Sequence, residues 1–262
     1  YCGSEKKMED IEIYLNRLHD SQEIWSETAD KLGAPEINSG EALEKWLAEH
    51  CELPQVKLYV SDEKVDNATV DQIIAAFGDR AQVIEDEFLN IIDETAHITS
   101  QSKPRCLVHR DGDLHAAVHV WIIRRRDMGV YVLLQKRSHL KDISPDCYDV
   151  SAAGHVSQNG EFRSTAVRET AEEIGLEIPR EKLELIGLME SHYSSGKTHD
   201  NEVRAVYLYR GDVDEDSLVL QESEVAEVGW AELDELLTVI KNEEFKHCLD
   251  LDELAMIKKA VF

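Results

Sequence analysis

Three glutamates, Glu169, Glu172 and Glu173, occupy positions i, i+3 and i+4 of the run Ser164 to Ile174. If that run is a helix, all three side chains leave one face. Like charges at this spacing repel by roughly a few tenths of a kcal/mol per pair, so a cluster with no cation inside it invites a compensating ligand. Magnesium fits: it takes oxygen ligands, keeps several waters and bridges to phosphates. A glycine-containing loop, Gly154 to Glu161, comes directly before the run. The plain alternative is a solvated acidic helix face, and in a chain with 54 acidic residues the cluster by itself does not decide between the two.

The elements around this segment follow from hydrophobic periodicity. Residues 1–100 carry 23 acidic and 8 basic side chains, with Ile11, Tyr14, Leu15, Leu18, Trp25 and Leu32 near helical spacing. This half is expected to be an acidic, mainly helical accessory domain. Ser39 caps a helix holding Leu43, Trp46 and Leu47, and Asn67 or Thr69 opens one with Ile73, Ile74 and Phe77. Val83 to Ile92 reads as a further helical run, and Lys57 to Val60 as a short strand left open by its length. The polar stretch Thr99 to Pro104 reads as a linker, and a second domain is expected over 104–262. There the β-branched and aromatic runs Ala117 to Ile123, Val130 to Leu134, Leu185 to Leu188 and Val203 to Tyr209 read as strands. Helices are expected over Ser164 to Ile174 and from Ala231 to Ile240, which makes an α/β sandwich.

Composition limits the partners. The formal charge is -26, from 28 basic and 54 acidic residues, and such a surface repels nucleic acid and anionic membranes. No extended nucleic-acid binding and no membrane insertion are expected, while a small phosphorylated substrate remains compatible through bridging cations. The cysteines, Cys2, Cys51, Cys106, Cys147 and Cys248, are odd in number and form no CxxC pair, so reduced thiols and a cytoplasmic location are expected. The start, Tyr1-Cys2-Gly3-Ser4, carries no weight.

The segment from Gly154 to Leu176 resembles the Nudix box, in which a glycine, five residues, a glutamate and seven residues precede Arg-Glu-apolar-any-Glu-Glu-any-Gly-apolar. Gly154, Arg168, Glu169, Glu172, Glu173, Gly175 and Leu176 fall in register. Two positions depart from it: Gly160 stands where the isolated glutamate belongs, with Glu161 one residue later, and Thr170 replaces an aliphatic residue. The resemblance implies a Nudix-type α/β/α sandwich with a mixed sheet. It also implies hydrolysis of a diphosphate linkage with Mg2+, for which Mn2+ can substitute. In that picture Glu169, Glu172, Glu173 and the carbonyl near Ala153 or Gly154 hold metal, and Arg168 orients Glu169. The proton acceptor for the attacking water varies within the family; Glu169, Glu202, Glu222 and Glu224 are the candidates, with Glu202 preferred among the later ones. Lys136, Arg137, Lys197 and Arg124 to Arg126 are candidate phosphate contacts, with Lys136 and Arg137 preferred because Arg124 to Arg126 fall in an expected hairpin turn where solubility explains them.

A narrower likeness covers about 104–240. The segments from His109 to Ala116, Leu133 to Ser138, Tyr148 to His155 and Asp200 to Val203 resemble the Nudix branch related to isopentenyl-diphosphate isomerase. That isomerase binds a second metal through three histidines and two acids, which correspond to His109, His115, His155, Asp200 and Glu202. Its catalytic cysteine corresponds to Ala153, so the acid/base group needed to move a proton on carbon is missing. The resemblance therefore implies a hydrolase rather than an isomerase, with a noncatalytic binding module as the third reading. Residues 1–100 match no named motif; covering the site, forming a homodimer and recognising a partner all stay open.

Overall fold

The computed structural model describes residues 9–93, 95–127, 129–141, 143–242 and 245–262. The chain divides into two compact units, one formed up to Leu89 together with Ser102–Arg110, the other by Asn90–Gln101 and Asp111–Phe262.

In the first unit, β1 (Ile11–Leu15), β2 (Val56–Ser61) and β3 (Ala81–Asp86) form a parallel sheet in that order. Parallel neighbours need long crossovers. These are α1 (Ser21–Leu32) with α2 (Gly40–Glu49) between the first two strands, and α3 (Ala68–Phe77) between the last two. Each helix starts where a side chain can satisfy an orphan N–H: Asp20 and Glu23 form a capping box, Ser39 accepts from Ala42, and Asn67 accepts from Thr69. Ile13, Leu15, Ile24, Leu43, Leu58 and Ile73 pack between helices and sheet.

Three expectations for this region are corrected. Ile11, Tyr14 and Leu15, read at helical spacing, lie in the strand β1, where pairing with β2 satisfies the backbone. Val83 to Ile92 is not helical: it supplies β3 and then β4 (Phe88–Ile92). Its apolar pairs at 83–84, 88–89 and 91–92 imitate helical spacing, but pairing with neighbouring strands satisfies the backbone instead. Thr99 to Pro104 is not a linker; it lies in β5 (Ile98–Pro104), which adjoins β4. The boundary expected there does not fall at one point, because the chain crosses between units within β4, after Gln101 and within α4 (Arg105–Asp111).

The second unit is organised by β6 (Leu114–Arg126), a 13-residue strand. It pairs parallel with β11 (Thr198–Arg210) and antiparallel with β9 (Ala152–His155) and with β7 (Gly129–Arg137). β10 (Glu184–Ser195) extends the sheet beyond β11; β8 (Tyr148–Asp149) and β12 (Val225–Glu232) flank β7. Alternation along β6 sends Val118, Val120 and Ile122 to one face and Trp121 and Ile123 to the other. Both faces are covered, so nearly all of this strand is buried. The helix α5 (Phe162–Ile174) covers the first face; α6 (Leu233–Lys241) and α7 (Leu251–Val261) cover the second. The result is the expected α/β/α sandwich with a mixed sheet.

Among the described residues no helix is long and apolar enough to cross a membrane, and Cys51, Cys106, Cys147 and Cys248 are unpaired thiols. Cys2 and the other residues of the chain's start lie outside the described residues.

Candidate metal centres and active site

The helix α5 presents the three glutamates as their spacing predicts, but in unequal surroundings. Glu173 is buried, and its Oε2 accepts from the Ala153 backbone N–H at 3.1 Å and from Gln135 Nε2 at 3.3 Å. Glu169 lies against Gly154: a Cβ there would stand 2.2 Å from its Cδ. Glycine is thus required at this point by the carboxylate, not by a turn. Glu172 is half exposed, and Arg168 ties the outer pair together through Nη2 to Glu169 and Nη1 to Glu172, both at 2.6 Å. Burial, followed by the charge of Glu169, pushes the Glu173 carboxyl up to about 8.

The helix ends at Gly175, whose φ of 69° is left-handed and whose N–H reaches the carbonyls of Ala171 and Thr170. Gly160 also has a packing reason, since a Cβ would meet the Ser157 carbonyl at 2.8 Å. Glu161, one residue past the expected position of the isolated glutamate, instead pairs with Arg180 at 2.8 Å on the surface. Thr170 is buried, its hydroxyl donating to the Ala166 carbonyl.

A second cluster comes from register. In the β11/β6 pair Glu202 stands beside His115, and in the β6/β9 pair Ala117 stands opposite His155. These neighbours share one face of the sheet. His115 Nε2 approaches Asp200 Oδ1 at 3.3 Å and Glu202 Oε1 at 4.0 Å, while His155 Nε2 lies 3.4 Å from Glu202 Oε1. The ligand atoms of His115, His155 and Asp200 all fall within 4.8 Å of one another. His115 Nδ1 bonds the Asp113 carbonyl at 3.0 Å, which fixes the proton there and leaves Nε2 as the metal-facing nitrogen. Two imidazoles and two carboxylates are a donor set suited to zinc or manganese. Burial lowers the affinity of His115 for a proton, but the hydrogen bond to Asp200 and the charge of Glu202 outweigh it, so its value is raised. Burial acts to raise Glu202, but His155 and Arg204 hold it well below the usual carboxylate range. His109 is buried near the end of α4.

Other expected site residues are placed elsewhere. Arg137 donates to Asp149 Oδ2 at 3.0 Å and twice to the Ile143 carbonyl, and Lys136 reaches Glu227 at 3.5 Å. Both bind neighbouring protein groups. Glu222 is exposed, and Glu224 pairs with Lys141 while its charge still acts on Glu173. Arg124 and Arg126 pair with Asp212 at the end of β6. Sequence reasoning missed Gln135, Arg204, and a buried group of His119, Trp121 and Glu253. Only Glu253 left a signal: it falls beside Leu254, Ile257 and Val261 on the apolar stripe of α7.

Residues 113–249 match the model of the NUDIX domain, just over half of the chain. The protein belongs to the Nudix family and is a hydrolase of the Nudix pyrophosphohydrolase type. It is 35% identical over 160 residues to an uncharacterized Nudix hydrolase of Clostridium acetobutylicum, covering 61% of this chain and 77% of that one. It is also 35% identical over 163 residues to Nudix hydrolase 3 of Arabidopsis thaliana, where the match spans 61% of this chain but only 21% of the relative. Among solved structures, DR0079 of Deinococcus radiodurans is similar with a TM-score of 0.48 and 18% identity, over 66% of this chain and 98% of that one.

Proposed function

We propose that this hydrolase cleaves the diphosphate linkage of a nucleoside diphosphate derivative or similar organic diphosphate in a magnesium-dependent reaction. The observation that carries this reading is the convergence of Glu169 and Glu173 on the backbone of Ala153 and Gly154, with Glu172 beside them on the same helix. Glu169, Glu172, Glu173 and the Gly154 carbonyl would hold the ion. When bound, Mg2+ lowers the pKa of a water and neutralises charge growing on the phosphoryl oxygens.

The protein's own groups do the rest. Arg168 fixes the Glu169 carboxylate through a charge-assisted hydrogen bond. Glu169 takes the proton of the attacking water. Glu202 is less suited to that task, because Oε2 accepts from Arg204 and Oε1 faces two imidazoles. We assign Glu202 with His115, His155 and Asp200 to a second divalent ion, and the likeness to the isomerase branch adds His109 to this set. The isomerase reaction itself is disfavoured, since Ala153 offers only its backbone N–H, already donated to Glu173.

The test is hydrolysis of a panel of nucleotide sugars, dinucleotides, oxidised nucleotides and capped RNA ends by the full chain in MgCl2. At least one compound should be cleaved, EDTA should stop the reaction, and Glu173→Gln should retain less than about 1% of turnover with an unchanged Tm. Near-wild-type turnover in that variant overturns the assignment.

A further inference from the structure

The face of the sheet that carries His115 and His155 holds another polar group which the metal assignments leave unused. Glu253 on α7 is 1% exposed and accepts from His119 Nδ1 through both carboxylate oxygens at 2.9 Å and from the Trp121 indole Nε1 at 2.6 Å. Two donors on one buried carboxylate fix the imidazole, with Nδ1 turned to α7 and Nε2 turned away from it. Among the described residues Nε2 has no hydrogen-bond partner, and it is not one of the polar atoms closed off from solvent. That edge of the ring is where the side chain, 10% exposed, reaches solvent.

Arg204, one strand over, has the same character. Its Nε donates to Glu202 Oε2 at 2.6 Å, while both Nη nitrogens are without a hydrogen bond among the described residues and are likewise not closed off. The β11/β6 register puts Arg204 beside Ala117 and Val206 beside His119, so the guanidinium and the imidazole are diagonal neighbours on one face. Two of their neighbours on that face are small, Ala117 next to Arg204 and Ala153 opposite His119, while Val206, Trp121 and Met189 border the pair. Ala153 is the residue whose N–H holds Glu173, so this floor adjoins the glutamate cluster.

We propose that His119 Nε2 and the Arg204 Nη nitrogens form a phosphoryl-binding subsite, donating to non-bridging oxygens of a diphosphate whose bridge lies at the glutamate cluster. The ligand class rests on the diphosphate reading above; the geometry does not. Three charged groups face His119: Glu253 from α7, Arg204 from β11 and Asp149 from β8. Burial disfavours the charged ring, yet Glu253 outweighs it, so the ring holds its second proton more readily than an ordinary histidine, and with that proton in place Nε2 donates. Arginine supplies a planar fork that matches phosphate oxygens. The simpler role, a staple between α7 and the sheet, needs only Nδ1 and accounts for neither the open Nε2 edge nor the adjoining guanidinium.

Calorimetric titration of the full chain with methylenediphosphonate in MgCl2 tests this without turnover, because the P–C–P bridge is not cleaved. His119→Asn keeps a donor where Nδ1 stands, and so keeps the bond to Glu253, while deleting Nε2. Arg204→Lys keeps a cation on Glu202 while deleting the fork. Each should raise Kd at least about tenfold, the loss of one charge-assisted hydrogen bond, with Tm close to wild type. No binding of the diphosphonate by the wild type, or binding by either variant within twofold of it, overturns the subsite. Failure of the hydrolase reading shows separately, as unimpaired turnover in Glu173→Gln.

Discussion

Gly154→Ala is a sharp probe of the proposed active site, because the three nearest atoms that a single added carbon meets all belong to the Glu169 side chain. The new Cβ would stand 2.2 Å from Glu169 Cδ, 2.3 Å from Oε1 and 2.5 Å from Cγ. Ordinary contact begins near 3.4 Å, so the carboxyl must withdraw by about 1.2 Å. The displaced atoms are the far end of a side chain with 14% exposure, and the backbone at Gly154 is not left-handed, so the fold absorbs the change cheaply. Catalysis does not. A shift of about 1 Å in a positioned group costs on the order of 10²-fold, or about 2.7 kcal/mol of barrier. The expected outcome is a fall of about 10²-fold in kcat/KM with Tm within a few degrees of wild type. The assay is steady-state hydrolysis of whichever diphosphate the wild type cleaves, with thermal unfolding alongside. If the clash acts through Glu169, the double variant Gly154→Ala/Glu169→Ala should be no worse than Glu169→Ala alone. Activity of Gly154→Ala within threefold of wild type, or full additivity in the double variant, refutes the reasoning.

Two further predictions concern the frame around the site. Burial acts to raise Asp149, but His119 and Arg137 outweigh it and hold its carboxyl below the usual value. A depressed folded value stabilises the fold above the ordinary carboxylate range, and that contribution is lost as pH falls through the folded value. Asp149→Asn removes the ionic partner of Arg137, which keeps its bonds to the Ile143 carbonyl, and should cost about 3 kcal/mol in urea unfolding at pH 7. The gap to wild type should narrow below about pH 4, and a gap that does not change with pH would contradict the assignment. Gly175→Ala places a side chain at a φ of 69° with its Cβ 2.9 Å from the Val219 carbonyl. It should cost at least about 1–2 kcal/mol and lower Tm by roughly 2–8 °C; an unchanged Tm would mean that the α5 terminus relaxes freely.

The glutamate-bearing helix was legible in the sequence because its information is local. Spacings of three and four residues put Glu169, Glu172 and Glu173 on one face of any helix, and Gly175 marks where that helix must end. The caps at Ser39 and Asn67, and the strands around Trp121, Val132 and Tyr207, are local in the same sense. Periodicity failed at Val83 to Ile92, where apolar pairs satisfy a helix and a strand about equally and only sheet partners decide. The depth of each glutamate, the clash that keeps residue 154 a glycine, and the diversion of Glu161 to Arg180 depend on what packs against α5. The polar floor lay furthest from view. His119 and Glu253 are 134 residues apart, and Arg204 is their neighbour only through the parallel register of β11 on β6. Composition and spacing determined which residues are candidates for metal and phosphate; strand order and register, set by burying both faces of one sheet, decided which of them meet.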